Sequence, residues 1–242
     1  MDSYKDSSIN RLVNGMKTYG INLTDLQINQ FMDYYELLIQ WNKVMNLTAI
    51  TEINEVIEKH FIDSISITRV ISLQEEYVID VGTGAGFPGL PLKIVFPDTK
   101  IVLLDSLNKR VNFLCEVIHT LKLNNITAIH GRAEEYGRDK NYRGCFDICV
   151  SRAVAKLSSL SEYCLPFVRK NGYFVPYKSG SIEEEIASAE NALTILGAEI
   201  ESKNKFMLPD TQIERSLILI KKTKHISAKY PRGAGKPTKE PL

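Results

Sequence analysis

The segment VIDVGTGAGFPGLPL, residues 78–92, constrains the fold more than any other. Val78, Ile79 and Val81 read as a buried parallel strand that stops at Gly82. Gly82, Gly84, Gly86 and Gly89 follow in quick succession, before an apolar run over 90–96 with helical character. A strand, a glycine turn and a helix N-terminus make a place where backbone N–H groups can approach a ligand closely. From Tyr77 onward, β-branched runs alternate with amphipathic ones: YVIDV, KIVLLD (100–105), ITAIH (126–130), FDICVS (146–151) and YFVPY (173–177). Helical patterns over 108–121, 157–168 and 182–196 lie between them. Such alternation implies βαβ units and a mostly parallel sheet with helices on both faces.

The end of the chain breaks this rhythm. Residues 198–206 and 215–221 read as two strands joined by the short loop MLPDTQIE, which has no room for a crossover helix, so they must be antiparallel. The pattern predicts an α/β fold of the class I S-adenosylmethionine-dependent methyltransferase type: Rossmann-like, mostly parallel, with a C-terminal antiparallel hairpin. N-terminal helices precede it. Over 23–46, Phe31, Tyr35, Leu38 and Trp41 fall on one helical face, with Thr24 as N-cap, and 8–19 and 54–70 also read as helical. The 242 residues therefore divide into a helical appendage (1–72), an α/β domain (73–224) and a basic tail (225–242). That tail, rich in Lys, Pro and Gly, is expected to be loosely ordered.

Composition excludes more than it assigns. Hydrophobic residues at 44% and charged ones at 24% suit a soluble globular chain, and a net charge of +1 names no partner. No apolar run approaches the roughly 20 residues that span a bilayer, and MDSYKDSSIN lacks the apolar core of a secretory signal. The expectation is a cytoplasmic protein with no membrane partner. Cys115, Cys145, Cys149 and Cys164 are expected to be reduced and mostly buried, and neither their spacing nor the scattered histidines suggest a metal site.

Gly84, Gly86 and Gly89 also spell the dinucleotide pattern G-x-G-x-x-G, which keeps a dehydrogenase open. Counted from Gly82, where such a turn normally opens, the pattern demands glycine at 87 and meets Phe87. Asp80, just before the turn, would repel a pyrophosphate yet suits a cationic ligand end. S-adenosylmethionine brings a sulfonium and an amino group and no phosphate, and the order Asp80-Val81-Gly82-Thr83-Gly84-Ala85-Gly86 matches the first motif of class I methyltransferases. Asp105, closing the second strand, can accept hydrogen bonds from ribose hydroxyls, a role shared by both cofactor classes. After the third strand, Ala133 can offer a backbone amide to the adenine and Glu134 an acceptor for its exocyclic amine. A merely solvated Glu134 is an equal reading.

The loop after the fourth strand, Ser151-Arg152-Ala153-Val154-Ala155, faces the transferred methyl, because ligands sit at the carboxyl ends of parallel strands. It has no Asn/Asp-Pro-Pro-aromatic segment for exocyclic amines and no nucleophilic cysteine for pyrimidine C5 chemistry. An arginine without a general base fits guanine N7, whose lone pair is free and which loses no proton, so that catalysis reduces to alignment. Arg152 is a candidate for orienting cofactor or guanine, or alternatively a structural partner of Asp147 or Glu162. A cofactor-binding assembly factor without turnover remains a non-enzymatic alternative.

Asp80 to Leu92, LLDSLNKRVNFL (103–114), GRAEE (131–135), SRAVA (151–155), WNKVMNLTAI (41–50), KHFIDSI (59–65) and KYPRGAGKPTKEPL together resemble the bacterial 16S rRNA guanine-N7 methyltransferase family, also called glucose-inhibited division protein B. The likeness covers nearly the whole chain, although Gly233 stands where Gram-positive members more often carry arginine. It implies S-adenosylmethionine as donor, a guanine of the 530 loop as acceptor, and 16S rRNA or the small ribosomal subunit as partner. It places Gly82, Phe87, Ala133, Glu134 and Arg152 at the cofactor, with Phe87 an apolar wall. Asn46-Leu47-Thr48 is either a helix stop with Asn46 as the cap or a face toward the substrate or catalytic site. Lys178 and Lys109–Arg110 are candidates for phosphate contact, whereas His60 and Asp63 are expected to pair with each other. The tail lysines, with Tyr230 and Arg232 as stacking groups, are expected to help grip rRNA.

Overall fold

The computed structural model describes residues 2–152 and 155–242; Ala153 and Val154 of the SRAVA segment lie outside the described residues. The strands β1 (Tyr77–Val81), β2 (Lys100–Asp105), β3 (Ile126–His130), β4 (Phe146–Arg152), β5 (Val168–Ser179), β6 (Ala198–Met207) and β7 (Glu214–Lys222) form one sheet ordered β3-β2-β1-β4-β5-β7-β6. The first five are mutually parallel where they pair, and β7 runs antiparallel to both β5 and β6. β5 is longer than YFVPY suggests. It starts while the apolar pattern still reads as helix, and an irregular register with β4 between Phe146 and Ile148 takes up the extra residues.

Alternation along the central strand builds two cores, because successive side chains point to opposite faces. On one face Val78, Leu103 and Ile148 meet Leu12, Phe31, Phe61, Leu90 and Phe113. These come from α1 (Asp2–Lys17), α2 (Asp25–Met45), the π-helical turn Ile57–Ile62, α5 (Gly89–Val95) and α6 (Asn108–Thr120). On the other face Ile79, Val102 and Cys149 meet Leu157 and Leu160 of α8 (Leu157–Cys164) and Ile186 and Leu193 of α9 (Glu183–Ile195). Residues of the N-terminal segment thus share one continuous core with the sheet. The π turn is flanked by two short helices, α3 (Ile53–Val56) and α4 (Asp63–Ile65), and ends in a 3-10 turn, Ser66–Arg69. Among the described residues no helix is long and apolar enough to cross a membrane.

α2 shows how the sequence fixes this packing. Thr24 and Gln27 form a reciprocal capping box at its start. The Gln27 side-chain amide also donates to the Ile94 carbonyl at 2.8 Å, and Gln30 donates to Leu121 O at 2.9 Å, so α2 satisfies the C-terminal carbonyls of α5 and α6. Its buried stripe is Phe31, Tyr34 and Leu38, with Tyr35 and Trp41 half-buried at the rim rather than central. It stops at Asn46, whose backbone is left-handed (φ 49°).

The basic tail differs from its expectation. Tyr230 is buried, and Arg143 holds the carbonyls of Ile226, Ser227 and Tyr230 with its guanidinium. Arg232 forms a bidentate pair with the fully buried Glu162, at 2.6–3.1 Å. A short helix, α10 (Lys236–Lys239), closes the chain, and Thr238 bonds Tyr163. Low hydrophobicity alone does not leave a segment loose when buried carboxylates in the domain require its cations. Cys149 and Cys164 are buried, whereas Cys115 and Cys145 are exposed, so only half of the free thiols lie inside.

Candidate active site

The carboxyl ends of β1, β2, β4 and β5 open into a cleft of about 770 Å³. Its floor is the turn after β1. Gly82, Gly84 and Gly86 all have positive φ (72°, 62° and 97°), a region costly for any residue with a Cβ. At Gly86 the space is closed as well, since a Cβ would meet Leu90 and the Tyr34 hydroxyl. Tyr34 donates to the Ala85 carbonyl, so α2 braces the turn from behind.

Two carboxylates shape this turn from opposite sides. Asp80 is fully buried beneath it, and its Oδ2 accepts from the Thr83 hydroxyl at 2.6 Å and the Gly89 N–H at 2.9 Å. Burial pushes its carboxyl up to about 6 against those two hydrogen bonds, and Oδ1 has no hydrogen-bond partner among the described residues. Asp105 faces the cleft. Its Oδ2 accepts from Gly84 N–H at 2.9 Å and its Oδ1 from Leu107 N–H at 2.9 Å, while Arg110 stands 3.5 Å away. Beside it, at the start of α6, Leu107 is an unusually exposed large apolar side chain (45%).

The opposite wall comes from the N-terminal segment and the sheet. Arg152, at the end of β4, donates to Asp63 Oδ2 (3.2 Å), to the Lys59 carbonyl (3.2 Å) and to His60 Nδ1 (3.1 Å). Asp63 Oδ1 accepts from Arg215 of β7 at 3.1 Å. His60 and Asp63 therefore converge on Arg152 instead of pairing with each other, and Arg152 pairs with neither Asp147 nor Glu162. His60 lies in the π turn and Asp63 is the residue that follows it, so both reach the same guanidinium from one short stretch of backbone.

His60 also stacks on Phe87, with ring centroids 4.4 Å apart and planes at 15°, and Arg152 lies over the same ring at 5.1 Å. Phe87 is thus more than an apolar wall. Burial, and next the Arg152 charge, hold the His60 imidazole down at about 3. Farther along, Lys178 is tied to Glu185 at 2.6 Å and to the Ala155 carbonyl at 2.7 Å.

Of the residues singled out from sequence, Gly82, Gly84, Phe87, Asp105, Arg152 and Lys178 line this cleft together. Asp80 and Gly86 do not: the first lies under the turn and the second packs on α2, so both shape the site without facing it. Asn46 is exposed outside the lining, where its role as a helix stop accounts for it. Ala133 and Glu134 begin α7 (Ala133–Tyr136) at the end of β3, beyond the cleft's lining. One Glu134 oxygen already accepts the Gly235 N–H of the tail at 2.8 Å. Leu47 and Thr48, from the segment that sequence reading left as a possible face toward the substrate, do line the cleft, whereas sequence reasoning missed Arg215. Arg215 stands before the apolar run of β7, which has Lys221 and Lys222 at its other end, and nothing in that pattern sets it apart.

Residues 27–217 match the family model described as rRNA small subunit methyltransferase G. A protein of Lachnoclostridium phytofermentans named ribosomal RNA small subunit methyltransferase G is 55% identical over 231 residues, covering 95% of this chain and 96% of that one. One of the same name from Acetivibrio thermocellus is 52% identical over 231 residues, covering 96% and 95%. Among solved structures, M. jannaschii TYW2 in complex with AdoMet superposes with a TM-score of 0.52 at 18% identity, over 64% of this chain and 72% of that one, a likeness of fold.

Proposed function

The chain belongs to the rRNA small subunit methyltransferase G family, and from that premise we propose that it transfers the methyl group of S-adenosylmethionine to N7 of a guanine in the 530 loop of 16S rRNA. The residues present suit that cofactor. The buried Asp80 Oδ1 without a partner is a negative site beneath a turn whose backbone admits close approach. Asp105 keeps a free lone pair on Oδ1, which accepts only the Leu107 N–H, whereas Oδ2 takes the Gly84 N–H and, at 3.5 Å, Arg110; a ribose hydroxyl can bond the first directly and the second by displacing the long Arg110 contact. Leu107 would offer an apolar surface to the adenine, with Ala133 and Glu134, just after the neighbouring strand β3, as its candidate polar partners. Bound there, S-adenosylmethionine supplies an electrophilic methyl group; the chain supplies orientation.

The carrying observation is that, with Asp105 assigned to the ribose, the remaining imidazole and carboxylates of the cleft among the described residues, His60, Asp63 and Glu185, are each already bonded. Arg152 occupies His60 Nδ1, and the ring stays neutral down to about pH 3. Both Asp63 oxygens are held by arginines. Glu185 is held by Lys178 and the Leu157 N–H. A site that disarms its bases suits an acceptor with a free lone pair and no proton to lose, as guanine N7 has. In this reading residues 73–224 carry the chemistry, 1–72 complete the acceptor wall, and the protein works in the cytoplasm, where small subunits are assembled.

The test is transfer of labelled methyl to unmodified small subunits and to naked 16S rRNA, followed by digestion to nucleosides. Label in 7-methylguanosine supports the reading; label in any other nucleoside refutes it.

A further inference from the structure

Thr48 stands on the cleft wall with its backbone pinned at both polar groups: its N–H donates to Asn42 Oδ1 at 2.9 Å, and its carbonyl accepts from Asn42 Nδ2 at 2.9 Å. Its hydroxyl is constrained just as closely. Ile50 N–H donates to Thr48 Oγ1 at 3.0 Å, and His60 Nε2 lies 3.0 Å from the same oxygen.

The direction of that last bond follows from Arg152. A guanidinium has donors only, so the 3.1 Å contact between Arg152 Nη2 and His60 Nδ1 makes Nδ1 an acceptor. A neutral imidazole with Nδ1 accepting carries its proton on Nε2. His60 is neutral, because burial and the neighbouring guanidinium oppose its charge. Nε2–H therefore donates to Thr48 Oγ1. With Ile50 N–H and His60 Nε2–H both donating, the two lone pairs of the hydroxyl are used. Its own proton is left to donate, and among the described residues nothing accepts it. Arg152 is in turn fixed by Asp63 at 3.2 Å, so the whole chain of polarity is set by a buried carboxylate.

We propose that Thr48 is a specificity-determining residue, a fixed hydroxyl donor that reads O6 of the target guanine. The inference rests on the N7 reading above. The group next to N7 on the purine edge is O6, an acceptor, in guanine and the N6 amine, a donor, in adenine. A hydroxyl whose acceptor capacity is exhausted pairs with the first and opposes the second. The rejection is strong, because a site built around one hydrogen bond leaves a polar group unpaired when the partner lacks it. Arg152 then acts at a distance from the base, as the residue that sets the His60 tautomer.

The test is methyl transfer to small subunits carrying either guanosine or 2-aminopurine at the target position, for wild type, Thr48→Ser, Thr48→Val and Thr48→Ala. 2-Aminopurine keeps N7 and the 2-amino group and lacks O6; its altered N1 is common to all the enzymes compared. Wild type and Thr48→Ser should prefer guanosine by about tenfold or more in kcat/KM. In Thr48→Val and Thr48→Ala the preference should shrink to within about threefold, by loss on guanosine rather than gain on the analogue. A merely structural role would lower both substrates together and leave the preference intact, and that result overturns the proposal. So does a wild type that methylates both substrates equally. A wild type that leaves the guanosine subunit unmethylated sinks the N7 reading itself.

Discussion

Arg152 at the end of β4 and Asp63 at the start of α4 form an ion pair of 3.2 Å that joins the sheet to the N-terminal segment across the cleft. The Asp63 side chain is almost wholly buried, and its second oxygen holds Arg215. Removing it strands two cations. Asp63→Ala should cost about 3–5 kcal/mol of stability by denaturant unfolding. At a temperature where the variant is folded it should still lose about a hundredfold in kcat, since Arg152 and His60 lose their fixed positions. A kcat within twofold of wild type would separate this pair from function.

Asp80 sets stability against binding. Its folded value of about 6 lies above the ordinary carboxyl value of 3.8, so the folded protein holds a proton that the unfolded chain releases between those limits. The penalty is absent below about pH 4, grows as pH rises and is complete above about pH 6. Asp80→Asn should therefore be more stable than wild type at pH 7.5 by about 1–3 kcal/mol, with the difference vanishing near pH 4. The same variant should bind S-adenosylhomocysteine at least about tenfold more weakly by calorimetry. Unchanged affinity would detach Asp80 from the cofactor.

His60 has the opposite sign. Its folded value of about 3 lies below 6.5, so unfolding takes up a proton in that window. Its contribution is present above about pH 6.5 and is lost as pH falls toward 3. Wild type should lose stability relative to His60→Gln on acidification through that range. Because His60 stays neutral, kcat should show no limb between pH 6.5 and 8.5; a limb near 6.5 that disappears in His60→Gln would assign it a proton-transfer role.

The tail separates into an anchor and a charged surface. Glu162 is fully buried, so Arg232→Met should cost about 3–5 kcal/mol, and adding Glu162→Met should restore most of it, as removing both charges relieves the stranded one. Lys224, Lys229, Lys236 and Lys239 are exposed. Changing all of them to glutamine should lower the salt dependence of rRNA affinity by up to about 3 in log–log slope, with S-adenosylhomocysteine binding unchanged. An unaltered slope would leave these lysines without a part in binding rRNA.

The fold was legible where one local rule sufficed. β-Branched runs named the strands, a loop too short for a crossover named the hairpin, and Thr24 announced the start of α2. The glycine turn was legible because few chemistries need that much positive φ. The acceptor wall was not. Asp63 meets Arg152 across 89 positions and Arg215 across 152, and neither spacing has a local signature. His60 lies in a π turn, which no periodicity marks. The tail misled because its composition describes solvated charge, whereas Glu162, buried under it, demands an arginine in place. Asp80 was legible as the acid leading into the glycine turn, but its depth under that turn depends on packing by Gly89 and Thr83.

The central claim is that the chain aligns a lone pair and removes no proton. Its most direct test is a small subunit carrying 7-deazaguanosine at the target position, in which N7 is replaced by a C–H. Methyl transfer is expected to the guanosine subunit, as 7-methylguanosine, and none to its 7-deaza counterpart, with the two subunits bound alike. Methylation of the 7-deaza base at any other atom, at a rate near that of guanosine, would contradict it.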